Sequence, residues 1–273
     1  MPSRLVISRR AALAGLAGAA LPWAAKADTV SDVKARGTVV IGIQGDNPPW
    51  GFLNSSGTQE GFDADLGKAF AAFLGVRAEF MPLAVSNRIP ALTTGRCDVL
   101  FATMAMLPER AKAVQYSKPY VANVISLVAA KTTEVKTNAD MAKLVIGVPR
   151  SSVGDTQVTS SAPPDTTIRR FDDDAATIQA LLSGQVQAVG SNMFYLDRLN
   201  ASKPGVFENK LEFTRIYNGA CSRLGDKAMN AALNGFTDKA RTDGTLAAAY
   251  RTWMKQDLPS FPESIEGVPF TAT

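Results

Sequence analysis

Arg110 follows Pro108 and Glu109 directly after an apolar run (Val99, Leu100, Phe101). A proline and an acid in the first turn suit a helix start. A guanidinium on such a base can grip a carboxylate through two parallel hydrogen bonds, which a lysine ammonium does less well. Arg88 reads either as a second anion contact or as a surface charge. Ser151-Ser152-Val153 stands at the start of a predicted helix, whose free backbone N–H groups favour an anionic group such as a carboxylate. Asp63 and Asp65 have the look of paired catalytic carboxylates, but their place suits helix capping better. The run Asp172-Asp173-Asp174 could hold a metal and reads better as a solvated cap before Ala175. The chain has no histidine, which excludes histidine triads and the common zinc constellations. Cys97 and Cys221 lie in apolar, strand-like runs and read as buried thiols, with a disulfide between them left open.

The elements that must position these groups follow from the pattern of apolar residues. Val39 to Ile43 is a β-branched run that ends in the stiff turn Gly45-Asp46-Asn47-Pro48-Pro49-Trp50. A hairpin with Ser55-Ser56-Gly57 at its tip comes next. The spacing of Leu66, Ala69, Phe70 and Phe73 predicts a helix capped by Asp63 or Asp65 and ended by Gly75. Strands are expected at 76–81 and 98–104, with a short helix at 89–94 between them. A second α/β pattern begins at Leu144 and runs through a helix after Ser152, a strand near Ile168, a helix at 175–182 and a strand at 187–190. Two apolar runs, 124–130 and 213–221, read as crossings, and the final third is helical. Strand-helix alternation argues for parallel sheets flanked by helices.

Several of these stretches resemble one family. Ile89-Pro90-Ala91-Leu92, Gly95 to Asp98, the strand from Val99, Pro108-Glu109-Arg110, Tyr116-Ser117-Lys118-Pro119-Tyr120 and, upstream, Gly61-Phe62-Asp63-Ala64-Asp65-Leu66 are similar to motifs of the periplasmic amino-acid-binding proteins. These are the family 3 solute-binding subunits of bacterial ABC importers. The resemblance runs from Val39 to Pro259. It implies an α/β, two-lobed periplasmic-binding-protein fold of type II, with two crossing segments as hinge near 129–131 and 218–221. Residues 28–130 and 221–273 would form lobe 1 and residues 131–220 lobe 2. It also implies a ligand cleft at the carboxyl ends of the strands. The residues expected to line it are Gln44, Asn47, Trp50, Val85, Thr103, Ala105 and Arg110 from the first lobe, with Ser152, Val153 and Asn192 from the second. Trp50 could equally fill the lobe's core.

Two departures from the family pattern bear on the ligand. Ala105 stands where the family has a hydroxyl that helps hold the α-carboxylate, leaving only its N–H. Asn192 stands where the family has an Asp that pairs with the α-ammonium. Losing a buried charge partner costs on the order of 2–5 kcal/mol. The expectation is a small carboxylate whose amine is absent, substituted or held differently; Asp46 in the missing acid's role would restore an ordinary amino acid.

Composition fits this outline. The 273 residues are 46% hydrophobic and 20% charged, an ordinary balance with ample core material. Ser8-Arg9-Arg10 before the Ala/Gly-rich run 11–25, with Ala25-Lys26-Ala27 after it, reads as a twin-arginine export signal at 1–27 and places the mature protein in the periplasm. The four basic residues of that segment leave 25 basic against 25 acidic in the remainder. Neither nucleic acid nor an anionic membrane surface is therefore expected as a partner. The expected partners are a small-molecule ligand and an ABC permease in the inner membrane, for a monomer with no cofactor or metal. Periplasmic dehydratases acting on prephenate-like carboxylates resemble the same family, but such an enzyme needs a proton donor in the cleft and none is evident, so no enzymatic activity is expected. A ligand-sensing partner of a membrane receptor uses the same closing cleft and stays open as an alternative.

Overall fold

The computed structural model describes residues 29–273, so the expected export segment lies outside the described residues. In chain order the elements are α1 (Thr29–Arg36), β1 (Thr38–Ile43), β2 (Asp46–Asn47), β3 (Gly51–Leu53), β4 (Gln59–Glu60), α2 (Phe62–Leu74), β5 (Arg77–Pro82), α3 (Arg88–Thr93), β6 (Val99–Leu100) and α4 (Pro108–Ala111). There follow β7 (Val114–Ala130), β8 (Val145–Pro149), α5 (Val153–Ser161), β9 (Thr167–Phe171), α6 (Asp174–Leu182), β10 (Ala188–Asn192), α7 (Tyr195–Ser202), β11 (Phe207–Arg223), α8 (Lys227–Thr242) and α9 (Thr245–Ala249).

Eight strands hydrogen-bond in the order β5-β1-β6-β11-β7-β10-β8-β9, and β2, β3 and β4 form a small separate sheet. Strand β1 is parallel to both β5 and β6, and β8 is parallel to both β9 and β10. Its sequence, TVVIGI, is buried at five of six positions, as a strand covered on both faces requires. The two long strands β7 and β11 join these parallel halves. They pair antiparallel from Phe207 opposite Ala130 to Arg223 opposite Val114. One end of the pair adds to the β5-β1-β6 half, through Cys221 opposite Leu100, and the other adds to β10, through Ala129 opposite Ala188. The fold is a two-lobed mixed α/β architecture, with helices packed on both halves.

Helix α2 shows why this sequence folds so. Phe62, Leu66, Phe70 and Leu74 repeat every four residues and bury one face against a core that includes Ile41, Val99 and Phe101. Burial of a side chain such as Phe70 contributes about 1.5–3 kcal/mol. Gly75 ends the helix in the left-handed region, at φ 76°. Its start differs from expectation. Gly61 occupies the cap position, and neither Asp63 nor Asp65 caps. Asp65 accepts a hydrogen bond from Trp253 Nε1 at 2.7 Å, and Asp63 is drawn inward to another task. Cys97 and Cys221 are free, buried thiols in one core cluster.

Candidate functional site

The carboxyl ends of β1, β6 and β10 and the first turns of α3, α5 and α6 meet at a cleft between the two halves. Its empty space, mouth included, is about 390 Å³. Of the residues expected there, Gln44, Asn47, Val85, Thr103, Arg110, Ser152, Val153 and Asn192 line it. Trp50 and Ala105 do not. Trp50 is fully buried, edge-on to Phe62 and Phe194, so its bulk fills the core, and its indole N–H donates to Asn192 Oδ1 at 3.2 Å. Ala105 is packed with Ile125 and Val153, where a methyl fills the contact. Arg88 proves to be a buried cleft residue and not a surface charge.

Sequence reasoning missed Asp174, Asn123, Ser191, Ile125 and Ile216, all of which line the cleft. Asp172-Asp173-Asp174 divides its labour. Asp173 caps α6 by accepting from Ala176 N–H at 2.7 Å, and Asp172 lies 3.7 Å from Arg150 in an exposed pair. Asp174, only 3% exposed, turns into the cleft, against the expectation of a solvated cap. Among the described residues no metal-binding cluster of three such groups occurs.

A chain of hydrogen bonds ties the first-lobe wall to the second. Asp63 accepts Thr103 N–H at 3.0 Å and Tyr120 O–H at 2.8 Å. Thr103, held at φ 46°, donates its hydroxyl to Gln44 Oε1 at 2.7 Å and accepts from Arg88 Nη1 at 3.2 Å. Gln44 Nε2 then donates to Asp174 Oδ2 at 3.1 Å, and Tyr195 O–H donates to Asp174 Oδ1 at 2.7 Å. A non-glycine residue in the left-handed region costs of order 1–3 kcal/mol and persists where its surroundings hold it. The Asp63 carboxylate is what holds Thr103. Burial raises Asp63 to about 6, against the lowering pull of Tyr120, Thr103 and Arg88. Burial likewise raises Asp174 to about 6, helped by the Asp46 charge. Arg88 falls to about 10 on burial and keeps its charge at neutral pH.

The second-lobe wall depends on a close approach. Ser152 caps α5 by accepting Asp155 N–H at 3.0 Å. A Cβ on Gly154 would lie 2.1 Å from Gly190 O, so only glycine lets the first turn of α5 sit against β10. Arg110 Nη2 donates to Ser151 O at 3.1 Å, reaching from one lobe to the other. Along the other rim Arg198 donates to Asn47 Oδ1 at 3.0 Å and to Asp46 O at 3.1 Å, and Ala175 N–H donates to Asp46 Oδ2 at 2.9 Å. A smaller recess lined by Val85, Ile89, Met104, Arg110 and Ser151 opens beside the main cleft.

Two guanidiniums, a buried carboxylate and several amides facing one gap can hold a small polar solute by desolvating it between the walls. Known proteins are similar to this chain in sequence and fold. The L-cystine-binding protein TcyJ of Escherichia coli (strain K12) is 26% identical over 250 residues, which span 90% of this chain and 94% of that protein. The solved solute receptor for L-cysteine of Neisseria gonorrhoeae matches with a TM-score of 0.78 at 26% identity, over 82% of this chain and 93% of its own. The ancestral amino acid-binding protein AncCDT-1, a precursor of cyclohexadienyl dehydratase, matches with a TM-score of 0.76 at 29% identity, over 82% of this chain and 99% of its own. Residues 39–256 match the model of the bacterial extracellular solute-binding proteins, family 3, and the chain belongs to that family.

Proposed function

We propose that this protein captures a small carboxylate-bearing solute, an amino acid or a close derivative, in the periplasm by hinge closure, and delivers it to an ABC permease. The observation that carries this reading is Arg110. Its guanidinium lines the cleft from one lobe and reaches Ser151 O on the opposite lobe, so a carboxylate held by it sits where the two lobes meet. Ligand can drive closure only by its extra affinity for the closed form, and a site assembled from both lobes supplies that difference.

The flexing segments are proposed at the middle of the two long strands. The β7–β11 ladder shifts register between Asn218 and Cys221, opposite Pro119. Residues 125–129, by contrast, are paired with β10 on one side and β11 on the other, so we propose the lobe division near 119–124 in place of 130. A binding role also suits Asp174. Both of its oxygens act as hydrogen-bond acceptors, which is the arrangement of a carboxylate holding its surroundings and not of an acid giving up a proton.

Relatives named for L-cystine, L-cysteine, glutamine and arginine suggest where a screen begins. In a thermal-shift panel of these amino acids and simple organic acids, one or more should raise the melting point of the wild type. Arg110→Ala should abolish that rise while moving the unliganded melting point little. An undiminished rise in the variant would remove Arg110 from the site.

A further inference from the structure

The cleft contains a pair of opposite charges that do not meet. Arg88 and Asp174 both line it, both are 3% exposed, and among the described residues neither is in an ion pair. Arg88 Nη1 is spent on Ala102 O and Thr103 Oγ1, while its Nε has no partner. Buried charges left apart in this way are costly unless something between them completes both. Asn123 adds a second gap in the bonding, because its Oδ1 is buried at the cleft wall with no donor.

The residues that could otherwise receive a cation are already committed. Asn192 Oδ1 accepts from both Trp50 Nε1 and Phe194 N–H, so its amide offers a ligand only its N–H side. Asp46 does not line the cleft, and its Oδ2 accepts from Ala175 N–H. Asp174 is the sole carboxylate among the cleft-lining residues described. Its two hydrogen bonds, from Tyr195 and Gln44, fix it in place, and each oxygen retains a further lone pair. The acceptors Asp174 and Asn123 and the donors Arg88 and Arg110 together match a molecule that carries an anion and an ammonium at once.

We propose that Asp174, helped by Asn123, is the ammonium-holding group of this cleft, moved from the end of β10 to the first turn of α6, and that the ligand is a zwitterionic α-amino acid with its primary amine intact. This rests on the reading of the cleft as a carboxylate site, and it reverses the expectation drawn from Asn192 alone.

The test begins with calorimetry of the full mature chain against the twenty common L-amino acids, L-cystine and the matching α-hydroxy acids. The tightest amino acid should bind the wild type at least about 30-fold better than its hydroxy analogue, the preference that a buried charge partner gives. Asp174→Asn, which keeps the shape of the side chain, should shrink that preference to about threefold or less, mainly by weakening the amino acid. A folding defect would weaken both ligands alike, so the ratio reports the contact itself. Arg110→Ala should weaken both. If the wild type binds hydroxy acids as well as amino acids, or if Asp174→Asn keeps the full preference, the assignment of Asp174 is overturned while the carboxylate site stands. If no carboxylate of either kind binds, the reading of the cleft falls and this assignment with it.

Discussion

At the scale of residues, Asp174 in the cleft and Asp63 behind its wall are carboxylates that pair with hydrogen-bond donors and not with cations. Asp63 shows the consequence for stability. Its carboxyl is raised from 3.8 to about 6 in the folded protein, chiefly by burial. A raised acid contributes stability that is fully present below its unfolded value and is lost as pH climbs through the folded one. Asp63→Asn keeps an acceptor for Thr103 N–H and an amide for Tyr120. It should therefore gain stability relative to wild type by about 2–3 kcal/mol between pH 4 and pH 7.5. Urea denaturation at the two pH values checks this, and a difference that does not change with pH would refute it. The charge pattern of the site was only partly legible. Arg110 was readable because proline and glutamate fix the turn that carries it. Asp174 was hidden in a run of three aspartates, since which one turns inward depends on which one caps α6, and no local pattern marks Asp173 for that task.

At the scale of elements, strands and helices were readable where one face is buried. The β-branched run of β1 and the four-residue repeat of α2 declare themselves. Their ends were harder, as Gly61 in place of an acid at the start of α2 shows. The long strands were seen only in part, because the outer half of β11 is mostly half-buried and lacks a continuous apolar signal. The same physical limit hid the role of Gly154, which depends on a neighbour 36 residues away. Gly154→Ala should push the first turn of α5 away from Gly190. Overpacking of this kind typically costs about 1–3 kcal/mol. Chemical denaturation should show the loss, and calorimetry should show weaker ligand binding because Ser152 and Val153 move with that turn. Unchanged affinity in a destabilised variant would detach the α5 start from the site.

At the scale of the whole molecule, the lobes hold one another directly. Arg198 grips Asn47 and the carbonyl of Asp46, Asp46 takes Ala175 N–H, and Phe194 lies against Trp50 in the opposite core. On the proposed hinge closure, these contacts favour the closed arrangement by themselves and so set how much of the protein is ready to bind. Arg198→Ala should shift the unliganded protein toward open forms, seen as a larger radius of gyration in solution scattering, and should weaken ligand binding about 5- to 30-fold. A variant with unchanged dimensions and affinity would show that the clasp is incidental. The two-lobed plan was legible from motif order, but this clasp was not. It joins Asp46 to Ala175 and Asn47 to Arg198 across more than a hundred residues, and no local pattern marks either partner.

The clasp occupies one rim, and the opposite rim is closed mainly by the contact of Arg110 with the Ser151 carbonyl, beside the small recess. That makes Arg110 a doorpost as well as an anchor. On the function proposed above, a carboxylate entering there meets the Arg110 charge and competes with the Ser151 carbonyl for the same donor. Arrival and the exchange of one inter-lobe contact for another then become one event, with a speed that added salt would slow.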